Sequence, residues 1–171
     1  DLYRLETGTY TLEPVPVNLA AVVRKAARDV TADAFFAGRT VRVLCRGHPA
    51  GEGDRLTVSG EELLCYSMFS NLLRNAVESS PEGGEVTVSL GEEGGEAVVA
   101  VTNPGEVPED VRDRFFEKYV TAGKRDGTGL GTYSALLAAR AHGGRAELDT
   151  ARPGFTTVRI FLPLAGEAAG S

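Results

Sequence analysis

The amino-acid sequence predicts an α+β fold of two layers, an α/β sandwich in which a mixed, mostly antiparallel sheet is covered on one face by about three helices. Some segments repeat apolar residues with helical spacing, and others alternate apolar and polar residues as strands do. Along the chain they read helix, strand, helix, hairpin, glycine-rich loop, helix and hairpin. This order favours two layers over a doubly wound parallel sheet, in which strands and helices would alternate one by one.

The composition indicates one soluble domain. Its 171 residues are 42% hydrophobic and 25% charged, which suffices for a sizeable core. The net charge is -6, with 18 basic residues scattered among 24 acidic ones, so we expect no nucleic-acid partner. No apolar run approaches the ~20 residues of a membrane span. The segment is therefore expected to be cytoplasmic and free of direct membrane contact, whether or not its parent protein is membrane-anchored.

The organisation of the chain suggests a piece of a longer protein, because it opens without methionine and closes in a small, polar tail. We expect a linker at 1–17, one domain at 18–165 and a flexible tail at 166–171. Cys45 and Cys65 lack CxxC spacing, so packed, reduced thiols are expected rather than a disulfide or a zinc site.

The first third of the chain holds a helix and a strand. Pro14 and Pro16 mark the linker, which is expected to enter the domain with a short strand at 9–12. Asn18 is predicted to cap a helix with one buried stripe, and residues 40–46 alternate as a strand. The stripe consists of Leu19, Val22, Val23, Ala26, Ala27 and Val30.

A second helix is predicted after the glycine- and proline-rich stretch 47–54. Ser59 and Glu62, three residues apart, form a candidate capping box at its start. Its core-facing stripe consists of Cys65, Met68, Phe69, Leu72, Leu73 and Ala76. The elements predicted beyond it are a hairpin of 85–90 and 97–102, a short helix at 109–118, a glycine-rich loop at 121–131, a helix at 132–142, and a hairpin of 145–149 and 155–162.

Two asparagines of the second helix could bind a metal. Asn71 and Asn75 are four residues apart, so their amides emerge on one side of the helix, at the flank of the apolar stripe. A Mg²⁺ ion that bridges nucleotide phosphates needs few protein oxygens, and one amide carbonyl would suffice. The alternative is that both amides only bond local backbone.

The segment from Asp126 to Gly131 is a candidate phosphate cradle. Its glycines let backbone N–H groups approach an anion, and the helix that follows adds the positive end of its dipole. The spacing also matches a dinucleotide fingerprint, but no strand immediately precedes it, so that alternative is weak. Lys124 and Arg125 could close over terminal phosphates or could simply be solvated; a flexible linker is the remaining alternative.

Asn103 and Gly105, separated by Pro104, follow a valine-rich strand and are predicted to lie at the edge of a sheet. The amide oxygen of Asn103 could accept from an adenine amino group. The alternative is an ordinary Asn-Pro turn.

Together these segments resemble the nucleotide-binding boxes of the Bergerat-fold ATPase superfamily, which includes histidine kinases, gyrase, heat-shock chaperones and mismatch-repair ATPases. The resemblance covers roughly residues 18–163 and ends with His142, Gly143, Gly144 and the last strand. The matching boxes are 71–76 (N box), 103–105 (G1 box), 114–119 (F box) and 127–131 (G2 box).

The resemblance implies ATP and Mg²⁺ as cofactors. Asn75 would hold Mg²⁺, Asn71 would line the phosphate site, and Lys124 would reach the γ-phosphate; these three would carry the catalysis. Tyr119 would close over the ring and sugar of the nucleotide. The residues expected to bind the nucleotide are Asn71, Asn75, Asn103, Gly105, Tyr119, Thr121, Lys124, Gly127, Thr128, Gly129, Leu130, Gly131 and Thr156.

Asn71 favours phosphotransfer over hydrolysis. Members of the superfamily that hydrolyse ATP usually carry a glutamate base at this position, and an amide cannot take a proton. Histidine kinases usually have asparagine there, since the acceptor histidine brings its own nucleophilic nitrogen. His48 and His142 do not resemble that acceptor, so the expected partners are the phosphoacceptor and dimerisation segment of the parent protein, whose last turn residues 1–9 resemble, and a response regulator.

Asn103 departs from the pattern of the superfamily, which has aspartate at this position. A neutral acceptor lacks charge assistance, so the sequence predicts nucleotide affinity lower by on the order of 1 kcal/mol. Asn103 therefore leaves open a degenerate nucleotide-sensing or partner-docking module of the same fold. A separate alternative is an anti-sigma serine kinase of the same superfamily, but the linker and the segment 119–131 fit a sensor kinase better.

Overall fold

The computed structural model describes residues 2–118, 120 and 130–166, and it confirms the predicted two-layer α+β architecture. The helices are α1 (Leu2–Thr7), α2 (Leu19–Ala32), α3 (Glu62–Ser79) and α4 (Gly131–Ala141), with short 3₁₀ helices at Ala34–Phe36 and Glu109–Arg114. The strands are β1 (Val15–Asn18), β2 (Thr40–Cys45), β3 (His48–Pro49), β4 (Thr57–Gly60), β5 (Glu85–Glu93), β6 (Glu96–Pro104), β7 (Arg145–Asp149) and β8 (Phe155–Pro163). No helix of the described part of the chain is long and apolar enough to cross a bilayer.

Among the described residues, six strands form the main sheet in the order β3-β2-β5-β6-β8-β7, while β1 and β4 pair separately. Only β2 and β5 are parallel among these neighbours, and the other pairs are antiparallel. The register places Val88, Val101 and Val158 side by side, and all three are buried. The core lies between this face of the sheet and α2, α3 and α4.

Both predicted apolar stripes are buried as expected. Asn18 caps α2, since its Oδ1 accepts from the N–H of Ala20 at 3.1 Å and of Leu56 at 3.0 Å. Cys45 and Cys65 are free thiols buried in the core, which confirms the packing predicted for them.

Two predictions near the start of the chain are wrong. The first strand is β1 rather than 9–12, because the N–H groups of Thr9 and Tyr10 turn back to the carbonyl of Arg4 at 3.0 and 3.1 Å. Ser59 does not cap α3: it is extended in β4 opposite Pro16, and Glu61 is the N-cap without a side-chain cap bond. Pairing with β1 thus keeps Ser59 out of the helix.

One later prediction needs correction. The helix expected at 109–118 is a 3₁₀ helix that ends at Arg114, and the carbonyl of Phe115 accepts from the hydroxyl of Thr132 at 3.1 Å. Asn103 lies near the end of β6, where that strand reaches the edge of the sheet, and β6 itself is an interior strand flanked by β5 and β8.

The segment before β1 is fastened to the domain at two points. Glu6 of α1 accepts from Lys118 Nζ at 3.0 Å and from Tyr133 OH at 2.9 Å. The phenol of Tyr10 donates to the Glu61 carboxylate, which also accepts from the N–H of Glu13 at 2.8 Å. These bonds lower the pKa of Glu61, and those of Lys118 and Tyr133 lower the pKa of Glu6. The linker therefore has a defined path over α3 and α4.

Candidate nucleotide-binding site

Helix α3 carries the first cluster of predicted site residues. Asn71 and Asn75 are half-buried beside its buried stripe, as the spacing predicts. The amide of Asn71 donates to Ser134 Oγ of α4 at 3.0 Å, and Ser134 Oγ lies 3.3 Å from the carbonyl of Gly131. Because the Nδ2 atom is occupied in this way, Asn71 is left to present its carbonyl oxygen.

The N-terminus of α4 faces Asn71. A Cβ built on Gly131 would lie 3.9 Å from Cβ of Asn71, so the start of α4 passes close to α3. The first N–H groups of a helix have no partner within it and attract anions. The arrangement therefore offers a neutral oxygen from α3 and a helix N-terminus from α4 at one place.

The second cluster lies where β6 and β8 end. Asn103 and Thr156 are opposite each other in the sheet, and each is 4% exposed, so two polar side chains enter the space between sheet and helices. Thr156 Oγ1 donates to the carbonyl of Gly105 at 2.8 Å, and Asn103 Nδ2 donates to the carbonyl of Pro104 at 2.8 Å. A small set of fixed polar groups in an otherwise apolar layer is typical of a ligand site.

Gly105 brings the second cluster against α3. Its φ is +119°, and a Cβ there would meet the carbonyl oxygen of Ser79 at 2.6 Å. Only glycine allows both the backbone conformation and this approach. Asn71, Asn75 and Ser79 are successive residues of α3 four apart, so roughly 12 Å of helix separates the Asn71 cluster from Gly105. Helix α3 thus runs from one cluster to the other. A nucleotide would run in the same way, with its phosphates at one cluster and its base at the other.

The aromatic pair Phe115 and Phe116 packs edge to face, with ring centroids 4.9 Å apart, against the core. The bond from Thr132 to the carbonyl of Phe115 ties this predicted F box to the first turn of α4. The ends of the segment between them are therefore fixed to the same helix.

A cavity of about 410 Å³ lies between α1, α3 and α4. Asn71, Gly131 and Ser134 line it together with apolar side chains that include Leu5 and Met68. It therefore adjoins the Asn71 cluster, on the side where α1 crosses.

The described residues hold part of the predicted site. The structure brings Asn71 and Gly131 together, places Leu130 before them as the N-cap of α4, and joins Asn103, Gly105 and Thr156 at the other end. The predicted residues that lie outside the described part are Tyr119, Thr121, Lys124, Arg125, Asp126, Gly127, Thr128 and Gly129. Among described residues no three His, Cys, Asp or Glu side chains converge as a metal site, and Asn75, which is predicted to hold Mg²⁺, is half-buried on α3. A neutral amide oxygen would suit a Mg²⁺ ion that takes its other ligands from phosphates and water.

Sequence reasoning missed the partners that orient the site. Ser134, the carbonyl of Ser79 and the carbonyl of Gly154, which accepts from the N–H of Gly105 at 2.8 Å, were not singled out. Ser134 follows Gly131 by three residues and so lies on the same face of α4, which could have pointed to it. The two carbonyls carry no signal in the sequence.

Residues 60–166 match the family described as histidine kinase-, DNA gyrase B-, and HSP90-like ATPase. The chain belongs to this family. It is an ATP-binding catalytic domain of the histidine kinase type, which confirms the family that the sequence resembles.

Relatives of the family share the same domain. Sensor protein CutS of Streptomyces coelicolor is 34% identical over 160 residues, which cover 90% of the chain and 37% of CutS. Histidine protein kinase DivJ of Caulobacter vibrioides is 31% identical over 170 residues, covering 96% of the chain and 27% of DivJ. The chain thus spans well under half the length of these curated relatives.

Solved structures agree in fold. The mycobacterial sensor histidine kinase MprB superposes with a TM-score of 0.73 at 26% identity, covering 88% of the chain and 97% of that structure. Full-length ShkA in complex with AMPPNP superposes with a TM-score of 0.78 at 23% identity, covering 95% of the chain and 34% of ShkA. Both share the layer of helices on a mixed sheet that positions the two clusters.

Proposed function

We propose that this ATP-binding catalytic domain binds Mg-ATP between the two clusters and transfers the γ-phosphoryl group to a histidine on a separate dimerisation segment of its parent protein. A response regulator would then receive the phosphoryl group, and the domain would work in the cytoplasm. The observation that carries the proposal is Asn71: its amide nitrogen is bonded to Ser134, and the oxygen it presents cannot take a proton from water. The site is thereby suited to positioning a phosphoryl group and not to activating a water.

The proposed binding mode follows the length of α3. The base lies near Asn103 and Thr156, and the phosphates lie near Asn71, Asn75 and the N-terminus of α4. Asn75 would hold Mg²⁺, which would supply positive charge against the phosphates. We propose that the phosphate site is completed by the cation of Lys124 and by the backbone of Gly127, Thr128, Gly129 and Leu130.

The acceptor histidine is proposed to come from outside this chain. His142 is 8% exposed, and its ring lies 2.8 Å from the carbonyl of Ala138 and 3.2 Å from the N–H of Glu61, so it is committed to structure. His48 lies on β3, at the edge of the sheet remote from β6. The catalytic role of this domain is accordingly orientation and charge stabilisation, while the acceptor brings the nucleophilic nitrogen.

The relatives support this proposal through what they are named: a sensor protein and a histidine protein kinase. The solved structure of ShkA, whose fold the chain shares, is of a complex with the ATP analogue AMPPNP. The order of Asn71, Asn75 and Asn103 along α3 and β6 is consistent with the same use of the fold here.

The test is titration calorimetry of the chain with AMPPNP, with and without Mg²⁺. We expect the wild type to bind more tightly with Mg²⁺, and Asn75→Ala to lose that gain while keeping its melting temperature. Asn18→Ala is a matched control, because it removes an asparagine at the start of α2 and leaves α3, α4, β6 and β8 unchanged. A wild type that binds no nucleotide would contradict the proposal and favour the degenerate module, for which the neutral side chain of Asn103 is the one supporting observation.

A further inference from the structure

We infer that Ser134 of α4 is a positioning residue whose hydroxyl holds the amide of Asn71 in one orientation, so that the site prefers the Mg²⁺ complex of a nucleotide to the metal-free nucleotide. The inference rests on the proposed nucleotide site and concerns the ionic form in which that site takes its ligand. It gives a side chain of α4 an effect on the phosphates that passes through a side chain of α3.

Ser134 occupies a fixed place in the first turn of α4. Its N–H donates to the carbonyl of Leu130 at 2.8 Å, and its Oγ donates to the carbonyl of Gly131 at 3.3 Å. Helix α4 approaches α3 closely here, because Gly131 has no side chain and a Cβ built on it would lie 3.9 Å from Cβ of Asn71. A short hydroxyl on α4 therefore reaches a short amide on α3.

The hydroxyl of Ser134 favours one orientation of the Asn71 amide. It has a single proton, which it gives to the carbonyl of Gly131, so its lone pairs accept from Nδ2 of Asn71 at 3.0 Å. With the amide reversed, the hydroxyl would have to turn its proton to Oδ1 and give up Gly131. The observed orientation thus keeps two hydrogen bonds where the reversed one keeps one, and the additional bond favours it about fivefold.

This orientation decides which atom of Asn71 a ligand meets. The nitrogen and the oxygen lie on opposite branches of the amide, so a nitrogen held against α4 leaves the oxygen directed away from Ser134. Both residues are half-buried, and Asn75 follows Asn71 by about one turn on the same side of α3. The wall that α3 gives to the proposed phosphate site therefore offers an acceptor at residue 71.

An acceptor beside the phosphates favours the metal complex of the nucleotide. Phosphate oxygens are acceptors too, so Oδ1 of Asn71 and a bare phosphate meet without a proton between them. When Mg²⁺ is bound to phosphates it keeps several waters, and such a water brings protons that Oδ1 can accept. The orientation that Ser134 imposes thus penalises the metal-free nucleotide and not its complex.

Without the hydroxyl, the amide of Asn71 could turn. Its nitrogen would then face the phosphates and donate to an anionic oxygen, a bond stronger than one between neutral groups. The metal-free nucleotide gains by this turn, whereas the Mg²⁺ complex loses the acceptor that the hydroxyl had preset. Ser134→Ala should therefore narrow the difference in affinity between the two forms, and chiefly by tighter binding of the metal-free form.

The experiment is titration calorimetry with AMPPNP, once in Mg²⁺ and once in EDTA. In Ser134→Ala we expect AMPPNP to bind about fivefold more tightly in EDTA than it binds to the wild type, and the gain from Mg²⁺ to shrink by at least that factor. A role of Ser134 in folding alone would not tighten binding. Ser134→Thr keeps the hydroxyl and should restore wild-type values, since the cavity that Ser134 lines has room for a methyl group.

Two controls test whether Ser134 acts through Asn71. Ser67 lines the same cavity about one turn before Asn71 on α3, so Ser67→Ala makes the same substitution nearby and should keep both wild-type affinities. In an Asn71→Ala background, Ser134→Ala should change neither affinity, because the amide that it positions is absent. Melting temperatures of all variants show that each is folded.

The outcomes separate the inference from the proposed function. A wild type that binds AMPPNP neither in Mg²⁺ nor in EDTA contradicts the proposed function, and the inference with it. A wild type that binds AMPPNP but is indifferent to Mg²⁺ overturns the inference, as does a Ser134→Ala variant that keeps the wild-type gain or loses it only through weaker binding in Mg²⁺. An effect of Ser134→Ala that persists in the Asn71→Ala background also overturns it, since the hydroxyl would then act by another route.

Discussion

Gly105→Ala should destabilise the domain strongly, because two separate costs coincide at this position. The backbone has φ +119°, and the added Cβ would come within 2.6 Å of the carbonyl oxygen of Ser79. Backbone strain at a glycine-only conformation costs about 1–3 kcal/mol, and overpacking against atoms that cannot move costs about 1–3 kcal/mol. We therefore expect a loss of about 4 kcal/mol in the free energy of unfolding.

Two other glycines separate these costs. Gly47 has φ +84° with nothing within 4 Å of its Cβ position, so Gly47→Ala measures strain alone. Gly91 has neither a positive φ nor a neighbour within 4 Å, so Gly91→Ala should be neutral or slightly stabilising. The three variants therefore form a series in which one cost is added at each step.

The assay is urea denaturation followed by circular dichroism, with thermal melts as a second measurement. For a chain of this size the expected loss in Gly105→Ala corresponds to a melting temperature lower by about 8–16 °C. ADP binding of the folded fraction should also weaken, since Gly105 adjoins Asn103. If Gly105→Ala costs no more than Gly47→Ala, the close approach of β6 to α3 is wrong.

Three further predictions concern groups away from the site. His142→Ala should cost about 2–4 kcal/mol in the free energy of unfolding, measured by urea denaturation, since it removes a buried ring and leaves the half-buried N–H of Glu61 without its acceptor. A loss below about 1 kcal/mol would contradict that role. Tyr10→Phe should lower the free energy of unfolding at neutral pH. Because the phenol holds the pKa of Glu61 below its ordinary 4.5, this loss of stability is full above pH 4.5 and disappears as the pH falls through the lowered pKa. A loss that stays the same between pH 7 and pH 3 would refute the link to Glu61. Burial raises the pKa of the Cys65 thiol to about 12, so Cys65 and Cys45 should resist a disulfide reagent until urea is added, whereas rapid labelling of the native protein would contradict their packing.

Periodicity located the elements whose signal is local. The stripes of α2 and α3, the β5–β6 hairpin and the last two strands depend on residues close in sequence, and the structure confirms them. Ser59 shows where this reasoning fails: its capping pattern is local, but the pairing of β4 with β1 brings in residues more than 40 positions away and keeps it extended. Long-range strand pairing thus overrides a local cap.

The candidate site divides in the same way. The side of α3 that carries Asn71 and Asn75 follows from their spacing, and the structure agrees. The orientation of each amide could not be predicted, because it is set by Ser134 and by the carbonyl of Pro104. The first lies on another helix, and the second is a backbone group that every residue carries.

The carboxylate of Glu6 has a mechanical consequence. It holds Lys118 and Tyr133 at once, and in sequence these two residues bracket the glycine-rich segment. A shift of α1 by a few ångströms would break both bonds together, since hydrogen bonds fail beyond about 3.5 Å. Conversely, any change that moves Lys118 away from Tyr133 costs α1 one of its two anchors. The position of α1 and the distance between Lys118 and Tyr133 are therefore coupled through the carboxylate of Glu6.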